Sequence, residues 1–111
     1  MSKVKEKIFS YLGFAKKAGK IKAGVNAVAS LRGRIPLLML CDSASPNTKK
    51  DARTLAGKYR SALVLSKTFT IEELIGKENC KVVAVCDESL ANAIINVIKQ
   101  DKNEQFVILE A

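Results

Sequence analysis

The spacing of apolar residues changes period several times along the chain. From Val4 to Ala18, Ile8, Leu12 and Ala15 recur at helical intervals with Phe9 beside them. Lys16 and Lys17 close the segment, and Gly19 is a natural stop. Residues 20–23 then alternate Lys-Ile-Lys-Ala, which is the period of one short strand. A second helix is expected from Gly24 to Arg32, with Gly33 ending it and Pro36 just beyond. LLMLCD at 37–42 is an unbroken apolar run ending in an acid, as in a strand buried on both faces. Ser45 and Pro46 read as the N-cap and first residue of a third helix whose inner face is Ala52, Leu55, Ala56 and Tyr59, with Lys49, Lys50 and Arg53 facing outward.

ALVLS at 62–66 is the next buried strand. Thr70 and Glu73 have capping-box spacing ahead of a short helix that ends at Gly76. VVAVCD at 82–87 is a third buried strand. Its Asp87 caps a helix carrying Leu90, Ile94, Val97 and Ile98 as core stripe. Residues 101–105 are a polar break, and FVIL at 106–109 is either an edge strand or a hydrophobic tail. Short apolar strands alternating with helices imply an α/β fold: a three-layer α/β/α sandwich, a small mixed sheet covered by helices on both faces. No linker, repeat or low-complexity segment interrupts it, so residues 1–111 form a single domain.

Composition narrows the function. A chain of 111 residues with 48% hydrophobic content buries a core without disulfides or metals. No apolar run of about 18 residues is present and the N-terminus lacks a secretory pattern, so a cytoplasmic protein without membrane contact is expected. The three cysteines, Cys41, Cys80 and Cys86, have no CxxC spacing. Cys41 and Cys86 sit in apolar runs and read as reduced core residues. Histidine is absent, which removes the commonest general base and metal ligand. Neither a cofactor, a metal nor a small-molecule substrate is expected, and the chain reads as a monomer without catalytic activity.

Charge placement is more informative than the net +8. Residues 1–34 hold Lys3, Lys5, Lys7, Lys16, Lys17, Lys20, Lys22, Arg32 and Arg34 against the single acid Glu6, while residues 35–111 are neutral overall. So lopsided a distribution points to a polyanionic partner; its alternative is a basic surface that serves solubility alone.

Three features meet at Lys22-Ala23-Gly24-Val25-Asn26. A helix start offers unpaired amides and the positive end of a dipole. A glycine lets a phosphate approach the backbone, and Asn26 can both donate to and accept from a base edge. With Lys20 and Lys22 just upstream, this is a candidate nucleic-acid docking edge, widened by Lys16 and Lys17. The bland alternative is an ordinary turn at Gly24. No phosphate-loop spacing is present.

Several separated stretches then share an order: LGFAKKAGKIKAGVNAV, the Arg32-Gly33 turn, LLMLCDSASPNTKKDA and ELIGKENCKVVAVCDESLANAI. Over roughly residues 8–98 the chain resembles the superfamily of kink-turn-binding ribosomal proteins, the archaeal seven-Ae and eukaryotic thirty-e type, and most of all the bacterial YlxQ-like paralogues. The resemblance implies an α/β/α sandwich that binds structured RNA, ribosomal RNA included. In the family a Gly-x-Asn-Glu-x-x-Lys pattern opens the second helix and reads sheared G·A pairs, and a second loop packs on an extruded base. Gly24, Val25 and Asn26 occupy the start of that pattern. Ala27 stands at the Glu position and Ser30 at the Lys position, both departures. The second loop corresponds to Glu78, Asn79 and Cys80. Losing the carboxylate and the cation costs on the order of 1–3 kcal/mol each in base discrimination.

Lys67 follows the ALVLS strand, at a carboxyl end where α/β sheets place ligands. It contacts phosphate in the kink-turn reading, or is a solvated loop lysine. Lys77 and Lys81 bracket the second loop in the same way. Asp42 and Asp87 end buried strands, either as helix caps or as candidates for acid–base or metal chemistry. The aromatics Tyr11, Phe14, Tyr59 and Phe69 are too few for a stacking platform. Two function classes stay open: a non-catalytic RNA-binding protein, and a protein–protein adaptor that kept the fold and lost the RNA.

Overall fold

In the computed structural model, residues 3–101 and 105–110 are described. The order of elements is α1 (Lys3–Lys17), β1 (Ile21–Ala23), α2 (Val25–Ala29), β2 (Leu37–Cys41), α3 (Pro46–Tyr59), β3 (Ala62–Ser66), α4 (Ile71–Ile75), β4 (Val82–Val85), α5 (Glu88–Lys99) and β5 (Phe106–Glu110). The strands form one sheet in the order β1-β4-β2-β3-β5. Among the described residues, β2 and β3 pair parallel and the other three pairings are antiparallel.

The sheet is mixed and both its faces are covered, as the apolar runs imply. Side chains alternate across each strand. Leu37, Met39, Cys41, Val64, Val83 and Val85 point into a core shared with α1, α4 and α5. Leu38, Leu40, Leu63, Val82 and Ala84 point into a second core shared with α2 and α3. All five residues of β2 are buried, which is why this strand carries no polar position. FVIL is an edge strand, β5, paired with β3, with a register shift between Leu63 and Val64. In the polar break before it, residues 102–104 lie outside the described residues.

The caps at Ser45, Thr70 and Asp87 form as read. Each side chain accepts from the backbone N–H three residues on, those of Thr48, Glu73 and Leu90. Asp42 does not cap; it pairs with Lys49 at 3.1 Å.

Three expectations need correction. The second helix ends at Ala29 rather than at Arg32. The buried Tyr59 hydroxyl of α3 lies 2.8, 3.1 and 2.7 Å from the carbonyls of Val28, Ala29 and Leu31. The helix closes in a tight last turn, with Ser30 N–H donating to the Ala27 carbonyl at 3.3 Å and Leu31 N–H to the Val28 carbonyl at 3.1 Å. The single Tyr59 hydroxyl proton, which sits among the carbonyls of that turn, packs the turn against α3. Cys86 is exposed, not core, because β4 ends at Val85 and the chain turns outward toward the Asp87 cap; Cys80 is buried instead. In α5, Ala91 joins Ile94 and Ile98 in the core, while Leu90 and Val97 are only half-buried at the margins of the stripe.

Candidate nucleic-acid interface

One end of the sheet gathers the exits of β1, β2 and β3 and the starts of β4 and β5. Gly24 leaves β1 here with φ 92° and ψ 145°, a conformation essentially restricted to glycine. Its N–H donates to the Val82 carbonyl at 2.8 Å, so the β1–α2 junction is stitched to the first residue of β4. The loop that feeds β4 contains Glu78, Asn79 and Cys80, so this stitch brings two segments more than fifty positions apart in sequence side by side.

Each junction residue has a distinct placement. Asn26 is exposed, while Val25 and Ala27 are half-buried. The first bond of the helix runs from Val28 N–H to the Gly24 carbonyl, which leaves the amides of Val25, Asn26 and Ala27 without intrahelical acceptors. At five residues, α2 is too short to sum a full macrodipole, so these amides act as individual donors. Ser30, four positions after Asn26 and on the same side of the helix, is exposed, but its hydroxyl donates to the Ala27 carbonyl at 2.7 Å.

An open groove of about 380 Å³ runs along the free edge of β1, lined by Lys16, Ile21, Lys22, Ala23, Ala27, Ile75 and Lys77. Three lysines and no carboxylate line it. Lys16 is held there by donation from Nζ to the Ile75 carbonyl at 3.0 Å, tying the end of α1 to the end of α4. Ala27 sits in the groove wall at the position matched to the pattern's carboxylate; with a methyl there, the charged groups of the groove lining are all cationic.

The second loop is organised by a residue that local spacing did not single out. Glu72, in the first turn of α4, accepts from the Asn79 N–H at 2.9 Å and from Lys81 Nζ at 2.6 Å. The Lys81 ammonium is the main reason that the Glu72 carboxyl lies below its ordinary range. The same bond raises Lys81. Asn79 adopts φ 59° within this turn. Glu78 and Asn79 are exposed, whereas Cys80 is only 4% exposed and turns its thiol inward, so that position offers a ligand mainly its backbone. Seven and nine residues separate Glu72 from its partners, and no helix- or strand-period rule flags such a pairing.

Lys20 and Lys67 stand apart from the junction. Lys20 lies at the start of β1, where its carbonyl accepts from Cys86 N–H at 2.7 Å. Lys20 and Lys22 partly offset the rise that burial imposes on the Cys86 thiol pKa. Lys67 is exposed at the same sheet end as Gly24, but β4 and β2 intervene between β1 and β3. At about 4.8 Å per strand, that is on the order of 14 Å away. Among the candidate aromatics, Phe14 is 59% exposed on α1, Tyr59 is buried, and Phe69 packs near Phe106 beneath the Lys5 ammonium.

The chain is similar to known proteins in sequence and in fold. Over 93 residues the chain is 32% identical to the RNA-binding protein YlxQ of Bacillus subtilis (strain 168), an overlap of 81% of this chain and 93% of that protein. The chain belongs to the YlxQ family. No family model matches it. A solved structure of a protein with unknown function from Bacillus halodurans C superposes with a TM-score of 0.68 at 24% identity, over 84% of this chain and 97% of the other, a likeness of fold. Among the described residues, no helix of this YlxQ-family chain is long and apolar enough to cross a membrane.

Proposed function

We propose that the protein is a non-catalytic, cytoplasmic, ribosome-associated RNA-binding protein that acts as a monomer and docks a kink-turn-like RNA at the β1–α2 junction. The observation that carries this reading is the Gly24–Val82 hydrogen bond. It sets the exposed Asn26 and the junction amides beside the Glu78–Asn79 loop, above a groove of three lysines. The name of the Bacillus subtilis relative, an RNA-binding protein, agrees with it.

The roles divide by chemistry. Lys16, Lys22 and Lys77 attract and position phosphates. The amides of Val25, Asn26 and Ala27 donate to phosphate or base oxygens, and the Asn26 carboxamide reads a base edge. With methyl at Ala27 and an internally bonded hydroxyl at Ser30, base discrimination is weaker than the full family pattern supports, and backbone attraction weighs more.

The test is a titration against a kink-turn RNA and against the same duplex with its two sheared G·A pairs replaced by Watson–Crick pairs, at about 50 and 200 mM salt. Preferential binding to the kink-turn, lost in Asn26→Ala and weakened in Lys22→Ala, is the expected result. Equal affinity with a steep salt slope would reduce the reading to a general RNA-binding surface. Absence of binding to both would transfer it to a protein–protein adaptor.

A further inference from the structure

The basic N-terminal third is not a single surface. Arg32 and Arg34 lie at the opposite end of the sheet from Gly24, because α2 runs back across the sheet to the starts of β2 and β3. There an open groove of about 520 Å³ is lined by Arg32, Arg34, Lys58 and Arg60 together with Leu31, Gly33 and Tyr59. Four cations line it, all exposed, and no carboxylate does. Glu88 pairs with Arg34 at 2.8 Å from outside that lining, on an exposed surface.

Two arginine-bearing turns are locked together around this groove. Ile35 N–H donates to the Tyr59 carbonyl at 3.2 Å, and the Ser61 hydroxyl donates to the Ile35 carbonyl at 2.6 Å. The Tyr59 hydroxyl holds the preceding turn through the carbonyls of Val28, Ala29 and Leu31. Arg60 takes a left-handed conformation at the end of α3, φ 53° and ψ 42°, where glycine is the low-cost residue. Keeping a cation at that strained position, beside Lys58 and facing Arg32 and Arg34 across a fixed groove, makes sense for a ligand rather than for the fold.

We infer that this second groove binds the phosphodiester backbone of an RNA helix, so that one protein contacts RNA at both ends of its sheet. Guanidinium groups present planar pairs of donors matched to phosphate oxygens, and several such groups in one groove fit a repeating anion. A membrane surface fits less well: among the described residues the exposed large apolar side chains are Phe9 and Phe14, both on α1 and absent from the groove lining. The length of β2, five residues at about 3.3 Å each, keeps the two ends apart and directs them to different stretches of nucleic acid. This inference does not depend on kink-turn selectivity at the first end.

The probe is a plain A-form RNA duplex without G·A pairs, titrated across salt concentrations. The variant is Arg32→Gln/Lys58→Gln/Arg60→Gly, which leaves Tyr59 in place; glycine at position 60 relieves the backbone, so the variant is expected to fold. Removing three phosphate contacts is expected to lower the log–log salt slope by about 2–3 and to weaken binding at least about tenfold at low salt. A companion variant, Lys16→Gln/Lys22→Gln/Lys77→Gln, is expected to keep the slope contributed by the second groove. If the Arg32/Lys58/Arg60 variant holds duplex affinity within about twofold with an unchanged slope, the inference is overturned. It is overturned as well if that variant loses retention on anionic phospholipid vesicles while its duplex binding stays intact.

Discussion

Replacing Gly24 by alanine isolates the conformational demand at the centre of the candidate interface. A Cβ built at Gly24 meets no heavy atom within 4 Å, so sterics with the rest of the protein contribute nothing. What remains is the backbone, held at φ 92° and ψ 145°. Forcing alanine there costs about 1–3 kcal/mol. If the chain relaxes instead, it gives up the 2.8 Å bond from Gly24 N–H to the Val82 carbonyl, a net loss of about 0.5–1.5 kcal/mol, and the junction drifts from β4. The internal control is Gly57→Ala in α3, where the added methyl also meets open space but φ is not positive. There the same substitution is expected to stabilise by about 0.5–1 kcal/mol, because a helix interior favours alanine. Urea unfolding followed by circular dichroism measures both, the midpoint moving in opposite directions with the m-value unchanged. On the thermal scale each kcal/mol corresponds to a shift of about 4–8 °C for a chain near this size. A Gly24→Ala protein as stable as the wild type would refute the conformational argument, and with it the claim that Gly24 fixes the junction.

Tyr59→Phe removes the hydroxyl that serves the end of α2 and is expected to destabilise by about 1–3 kcal/mol in the same assay, since buried carbonyls lose their donor; a neutral result would show that water replaces it without loss. Glu72→Gln is expected to loosen the second loop, seen as loss of hydrogen-exchange protection at the Asn79 amide. Because Lys81 holds the Glu72 carboxyl below its ordinary range, wild-type protection should persist above that range and fall as pH drops through the folded-state value. Lys81 is raised by the same bond, so protection should also fade as alkaline pH passes through its folded-state value, and protection independent of pH would contradict both. In native alkylation followed by mass spectrometry, Cys86, whose residue is exposed, should react alone, more slowly than a free thiol because partial desolvation of its sulfur raises its pKa, with Cys41 and Cys80 modified only after unfolding. Ala27→Glu combined with Ser30→Lys should increase preference for the kink-turn over its Watson–Crick control by about 2–6 kcal/mol, about 1–3 for each restored group; an unchanged ratio would mean that the groove geometry presents neither position to a base.

Short-range rules settle most of the secondary structure. Caps at Ser45, Thr70 and Asp87, the glycine after α4 and the unbroken apolar run of β2 are all local, because each depends on backbone groups a few residues away or on burial on both faces of one strand. Local rules fail where a distant partner intervenes. Position 32 reads as helical, yet the chain leaves α2 after Ala29 in a turn packed against the distant Tyr59 hydroxyl. Cys86 reads as core because its neighbours are apolar, yet the sheet ends one residue earlier.

The candidate interface divides in the same way. The amino-acid sequence alone determines which residue types are available: a glycine before a helix, an asparagine in its first turn, a basic N-terminal third and no histidine. Only the tertiary structure decides which of them meet. Strand pairing places β1 beside β4, so Gly24 lies next to the second loop and Lys16 and Lys77 join Lys22 in one groove, while β4 and β2 keep Lys67 away from them. The same pairing sends Arg32 and Arg34 to the far end, to face Lys58 and Arg60. Net charge is a sum over the chain and contains no positions. The two-ended surface arises because hydrogen-bonded strands fix which chain segments leave the sheet at the same end.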